Sequence, residues 1–169
     1  MLSSFIQGQK ESSLIFSNNH VFINNDRDVL YSRLIDEKYP NYKAVIPQDN
    51  SYVLKLQKED FLNSIKATSI ATNKNTNQIS LNLALGEVFL KSVNQPESKT
   101  VYAPLKTAEY DGEKISIGFN ATYLKEAIMN YPSEEILFVF KDELSATLLL
   151  PETKNHKTTI LLMPVRINE

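Results

Sequence analysis

The 169-residue chain contains no cysteine, which excludes disulfides, thiolate metal sites and cysteine nucleophiles and suits a reducing compartment. No apolar run approaches the roughly 18 residues that a membrane-spanning helix requires, and the N-terminus carries no signal-peptide pattern. A cationic excess is missing too. With a formal net charge of −2, any contact with nucleic acid is expected to be weak, local or geometric, not a basic face gripping phosphates. The four glycines, Gly8, Gly86, Gly112 and Gly118, are scattered, and none forms a phosphate-cradling loop.

Catalytic patterns are equally scarce. The two histidines, His20 in a hairpin turn and His156 in an exposed loop, have no serine or carboxylate at a motif spacing. HExxH, GxSxG and P-loop sequences are absent. The carboxylates Asp26/Asp28, Glu59/Asp60, Glu134/Glu135 and Asp142/Glu143 fall at turns or helix starts, where solvated surface accounts for them. No catalytic residue, metal or cofactor is therefore expected, and the chain reads as a binding protein. An enzyme built from non-motif residues stays open as an alternative; it would show a deep polar pocket with convergent titratable groups.

What is present is a chain with 42% hydrophobic residues, long enough for one ordinary domain and a remainder. The first third reads as strands. Leu14-Ile15-Phe16 and Val21-Phe22-Ile23 flank Asn18-Asn19, residues that tolerate the positive φ of a tight turn; a second turn at Asn24-Asn25-Asp26 leads into Val29-Leu30-Tyr31. Three strands without a helix leave one face uncovered, so this segment is not a complete domain. A polar linker over 36–50 carries Pro40 and Pro47.

A coherent unit follows. The patterns predict a strand over 52–56 and a helix over 58–72, with Glu59 and Asp60 in its first turn and Phe61, Leu62, Ile65 and Ser69 on one face. Strands are expected at 78–83, 88–93, 100–109 and 114–117. A second helix starts after the N-cap Asn120, presents Leu124, Ala127, Ile128 and Tyr131 as a stripe, and stops at Pro132. Strands at 136–140, 145–150 and 158–162 close the chain. The order β-α-β-β-β-β-α-β-β-β predicts an α+β fold, two short helices on mostly antiparallel sheet. The expected division is a partial unit over 1–47 and a complete one over 48–169.

The tail, Leu161-Leu162-Met163-Pro164-Val165-Arg166-Ile167, is apolar where chain ends are usually polar and frayed. One reading makes it simply the last sheet strand. In the other, Met163, Pro164 and Val165 leave the sheet, because proline cannot donate to a ladder, and wall an exposed groove for a partner.

Four stretches together resemble the bacterial sliding clamp, the beta subunit of the replicative DNA polymerase III. Lys38-Tyr39-Pro40-Asn41-Tyr42 is similar to the family's connector between its second and third domains. Lys66-Ala67-Thr68-Ser69-Ile70-Ala71 is similar to the end of its first domain-three helix. Ile117-Gly118-Phe119-Asn120-Ala121-Thr122-Tyr123-Leu124 is similar to its Gly-Phe-Asn-x-x-Tyr signature, and Leu162-Met163-Pro164-Val165-Arg166-Ile167 to its Met-Pro-Met-Arg-Leu end. The resemblance implies the DNA-clamp fold, with the end of domain two and all of domain three in this chain: a shortened gene product, with Met1 as an added or internal start.

It also implies a cytoplasmic, non-catalytic subunit of the polymerase holoenzyme. The full-length homodimeric ring encircles double-stranded DNA without reading its sequence, and serves the polymerase alpha subunit, the clamp loader and repair proteins. Such a ring is not expected of this chain alone, which lacks the first domain. The groove that binds partner peptides would be walled by Tyr39, Pro40, Val45, Leu144, Ala146, Leu161, Met163, Pro164, Val165 and Arg166, with Asn120 and Tyr123 at its edge. Ala44 stands where some members carry arginine; Val165 and Ile167 replace Met and Leu; Asn168 and Glu169 extend the tail. Lys58, Lys66 and Lys125 would face DNA, or are ordinary solvated lysines. Ile70 and Ala71 would lie at the subunit interface; on a helical wheel Ile70 falls well off the core stripe. A replication-unrelated α+β module that binds peptides at a sheet edge is the alternative.

Overall fold

The computed structural model describes residues 11–25, 28–73, 75–151 and 158–167. Gly8, Asp26, His156, Asn168 and Glu169, named above, lie outside these residues. The chain divides into two compact units, 1–41 and 42–169, so the residues from 42 onward group with the second unit.

The first unit holds an antiparallel meander of β1 (Ser13–Phe16), β2 (His20–Asn24) and β3 (Val29–Arg33). Its register sets Leu14, Ile23 and Leu30 in one row and Ile15, Phe22 and Tyr31 in the next. Adjacent rows point to opposite faces, so both faces are apolar. Of these three strands only Ile23 is buried; Leu14, Ile15, Phe16, Val29 and Tyr31 are exposed. The first hairpin closes differently from expectation. Asn18 and Asn19 do not adopt positive φ. The Ser17 N–H donates to the His20 carbonyl at 2.9 Å and the His20 N–H to Ser17 Oγ at 3.1 Å, so the serine completes the turn without left-handed backbone.

The second unit consists of two βαβββ halves. The first is β4 (Tyr52–Gln57), α1 (Lys58–Ser69), β5 (Gln78–Ala84), β6 (Glu87–Asn94) and β7 (Lys99–Pro104). The second is β8 (Ile115–Asn120), α2 (Ala121–Met129), β9 (Glu135–Phe140), β10 (Thr147–Pro151) and β11 (Ile160–Leu162). The halves exchange their first strands: the sheets run β11-β10-β9-β4 and β7-β6-β5-β8, with every pair antiparallel. Neither sheet is complete without a strand from the other half. Short 3-10 turns at Tyr42–Val45 and Gln95–Glu97 complete the elements.

Alternation in β5 buries Ile79, Leu81 and Leu83 and turns Gln78, Ser80 and Asn82 outward. The core joins both sheets to both helices through Phe61, Phe119, Phe138, Leu124 and Ile128. Phe138 on β9 meets Phe61 of α1 and Phe119 of β8 edge-on, with centroids 6.0 and 5.6 Å apart.

Several boundaries differ from expectation for local reasons. The buried stripe of α1 is Phe61, Ser64, Ile65 and Thr68, not Phe61, Leu62, Ile65 and Ser69; Leu62 and Ser69 are half-buried. Polar residues are tolerated there because Ser64 Oγ donates to the Pro104 carbonyl (3.3 Å), Thr68 Oγ1 to the Ser64 carbonyl (2.8 Å) and Ser92 Oγ to the Thr68 carbonyl (2.7 Å). The helix stops at Ser69, before 72, because the Ala71 N–H bonds back only three residues to Thr68. The strand expected over 100–109 ends at Pro104, after which Glu109 forms an isolated bridge with Lys55. Ser145 belongs to a turn, not to β10.

Candidate peptide-binding groove

The tail does not end as a simple strand. Pairing of β11 with β10 ends at Leu162, consistent with the missing N–H of Pro164. Val165 then bridges to Gly118 on β8, its N–H donating to the Gly118 carbonyl at 2.8 Å. Gln78 Nε2 adds a bond to the Arg166 carbonyl at 3.2 Å. The tail thus straps one sheet to the free edge of the other. Gly118 permits the close approach: a Cβ there would lie 2.3 Å from the Val165 carbonyl oxygen.

Facing the tail is the loop between β9 and β10, which presents Leu144, 49% exposed. The Asp142 carboxylate organises the loop, accepting from Ser145 Oγ (2.7 Å) and from the N–H groups of Leu144 (2.9 Å) and Ser145 (2.6 Å). These bonds, the Ser145 hydroxyl first, hold its carboxyl below the ordinary value of 3.8. Lys141 Nζ reaches Asp49 at 2.5 Å, and Asn50 Nδ2 donates to the carbonyls of Val139 and Ala146 at 3.1 Å each, fixing the loop's flanks.

Between tail and loop opens a cavity of about 420 Å³, lined by Ser116, Glu143, Leu144, Val165, Arg166 and Ile167. Of the expected wall residues it gathers Leu144, Val165 and Arg166. Met163 (58% exposed) and Tyr123 (63%) offer apolar surface without lining it. Leu161 is half-buried on the face of β11 opposite Ile160 and Leu162. Val45 is exposed in the 3-10 turn, while Tyr39 and Pro40 belong to the first unit. Ser116 and Ile167 were missed as lining, although Ser116 lies two residues before Gly118 on the same face of β8. Glu143 carries no sequence signal beyond its place beside Leu144.

Asn120 is a structural hinge-pin of this region: its Oδ1 caps α2 by accepting from the N–H groups of Thr122 (3.0 Å) and Tyr123 (3.3 Å), and the Asn77 carbonyl takes the Ala121 N–H at 2.8 Å. Lys66 and Lys125 are exposed on the helices. Lys58 is half-buried and donates to the Tyr131 carbonyl at 2.6 Å, so its ammonium is engaged just beyond the end of α2. Ile70 is 84% exposed, but Ala71 is 2% exposed and packs inside. Ala71, expected beside Ile70 at the subunit interface, is buried within this unit because the turn that ends α1 folds it inward.

The Asp142 bonds give the loop a stabilisation that is complete above pH 3.8 and lost as pH falls through the lowered value. The Leu144 and Ser145 amide resonances, followed by NMR downward from neutral pH, are expected to titrate with a midpoint below 3.8. A midpoint at or above that value would contradict the held loop.

Two strand-exchanged βαβββ halves, joined in one core with both helices and strapped by the tail from one sheet to the edge of the other, define a domain of the DNA-clamp class. Residues 43–166 match the DNA polymerase III beta subunit, C-terminal domain, and the chain belongs to that family. It is 29% identical over 161 residues to the beta sliding clamp of Rickettsia felis, covering 91% of this chain and 42% of that protein. With the beta sliding clamp of Pseudomonas putida it shares 25% identity over 155 residues, 92% of this chain and 41% of the relative. Among solved structures, the beta sliding clamp of C. crescentus superposes with a TM-score of 0.86 at 26% identity, over 98% of this chain and 44% of that one. The clamp of Bartonella birtlesii superposes at 0.79 and 28% identity, over 92% and 41%. The chain spans about two fifths of the length of the curated relatives it matches.

Proposed function

We propose that this chain serves as part of a bacterial sliding clamp: a cytoplasmic, non-catalytic processivity factor that encircles duplex DNA without reading its sequence and recruits proteins through a peptide groove. The observation that carries the reading is the strapped tail, which sets Leu144, Val165, Arg166 and Ile167 around one open cavity within the family's C-terminal domain. Aliphatic walls beside an exposed Met163 suit leucine and phenylalanine anchors of a partner peptide. The C. crescentus clamp was crystallised with polyethylene glycol in a region proposed to tether the beta motif. The partners on this reading are the polymerase alpha subunit, the clamp loader and other proteins bearing clamp-binding motifs.

DNA would pass the helices, where Lys66 and Lys125 stand free of the core. A net charge of −2 fits a topological tether, since a strong phosphate grip would oppose sliding. Ile70 is the residue we assign to contact between subunits. Residues 1–47 supply the closing strands and linker of a second clamp domain, and 48–169 the third.

The test is binding of a fluorescent Gln-Leu-x-Leu-Phe-type peptide by anisotropy, with Met163→Ala/Pro164→Ala as comparison. Saturable binding is expected, weakened roughly tenfold or more in the double variant. A folded protein that ignores this peptide but captures unrelated extended peptides would favour the replication-unrelated module instead.

A further inference from the structure

The groove does not stop at the tail. The cavity lined by Ser116 and Ile167 meets, across those two residues, a second one of about 380 Å³ lined also by Ser80, Asn82, Lys91, Val93 and Gln95. A third, of about 160 Å³, shares Ser80, Lys91, Val93, Gln95 and Ile167 with the second and reaches Asn73 and Thr76. The second and third together form one trough that opens from the groove and runs over the outer face of the sheet, from β8 across β5 to β6.

Its floor is polar and pre-ordered. Ser116 Oγ donates to Asn82 Oδ1 at 2.6 Å, Asn82 Nδ2 to Ser80 Oγ at 3.1 Å, and Ser80 Oγ to the Lys91 carbonyl at 3.3 Å. Hydroxyls and amides already joined in a chain are held in place to meet further donors and acceptors. Lys91 is the only charged side chain lining the second and third cavities among the described residues. Its ammonium lies 5.8 Å from the Tyr102 ring centroid, so the cation is steadied from one side by an aromatic face.

Resting on the groove reading above, we infer that this trough receives the flank of the same partner peptide, an extended segment bearing an acidic residue that pairs with Lys91. Two features select this occupant: the trough opens directly from the groove, and its single cation faces no lining carboxylate. Geometry sets the spacing. Two inter-strand steps of about 4.8 Å separate β8 from β6, so at roughly 3.3 Å per extended residue the acid lies about three residues beyond the nearest apolar anchor.

The test compares five peptides by anisotropy: the core motif, the core extended by serines at one end or at the other, and the same two extensions with glutamate at the third and fourth added residues. One glutamate extension is expected to bind roughly twofold to fivefold more tightly than its serine counterpart at low salt, and to lose the gain at high salt. In Lys91→Met, which keeps the aliphatic stem over Tyr102, that gain vanishes while core-peptide affinity is unchanged; Lys125→Met leaves both intact. No gain from either extension, or a gain that survives Lys91→Met, overturns the trough while the groove stands. Failure of the core peptide itself strikes the groove reading, and the trough falls with it.

Discussion

Replacing Gly118 with alanine is expected to remove most peptide capture while leaving the domain folded. The added Cβ would fall 2.3 Å from the Val165 carbonyl oxygen and 3.0 Å from Ile167 Cγ1. The nearest obstacle is backbone, which cannot rotate away as a side chain tip can. The tail must therefore lift from β8, losing the Val165–Gly118 bond and the Gln78 bond to the Arg166 carbonyl. At about 1 kcal/mol for each bond, and with the wall displaced from Leu144, affinity for the clamp-binding peptide should fall roughly tenfold or more. The core side of β8, Ile115, Ile117 and Phe119, points away from the tail and is untouched. Anisotropy titration beside far-UV circular dichroism separates the two effects. Native affinity in Gly118→Ala would show that the strap does not build the groove.

Phe138→Ala is expected to have the largest effect on stability. The side chain is fully buried and touches both sheets and α1 through Phe119, Phe140 and Phe61. Removing such a ring costs about 3–5 kcal/mol, from lost transfer energy and the cavity left behind. For a domain of this size each kcal/mol lowers Tm by about 2–4 °C, so the midpoint should drop by roughly ten degrees. Thermal melts of the two proteins under matched conditions decide it. A drop of only a degree or two would mean the two sheets are joined chiefly elsewhere.

The two predictions draw on different levels of information. Phe138 is visible in the sequence as one tooth of a period-two pattern, Ile136, Phe138 and Phe140 alternating with half-buried neighbours. Gly118 is visible only as part of a family signature, since nothing in its neighbourhood says that a chain segment 47 residues later passes within bonding distance. The cavity beside the tail is half legible for the same reason: Leu144, Val165 and Arg166 among its lining follow from the family resemblance, whereas Glu143 is an ordinary loop acid and Ser80, Asn82 and Ser116 read as solvent-facing strand positions.

The α1 stripe failed instructively. Ser64 and Thr68 look like surface residues, and only their bonds to Pro104, Ser64 and Ser92 make burial tolerable. Ala71 reads as the neighbour of an exposed isoleucine, yet a turn of three residues hides it.

By itself, then, the sequence determined the α+β class, the position of both helices and nearly every strand, because these rest on local periodicity and on caps such as Asn120. It also set the exposure of Ile70 and the breaking of the last strand before Pro164, which follow from helical angle and a missing donor. Only the tertiary structure decided the exchange of first strands between the two halves, the strap from β11 to β8, and the trough that opens beyond it. Those features depend on contacts between residues far apart in the chain, where side-chain pattern specifies that a face is buried but not which partner buries it.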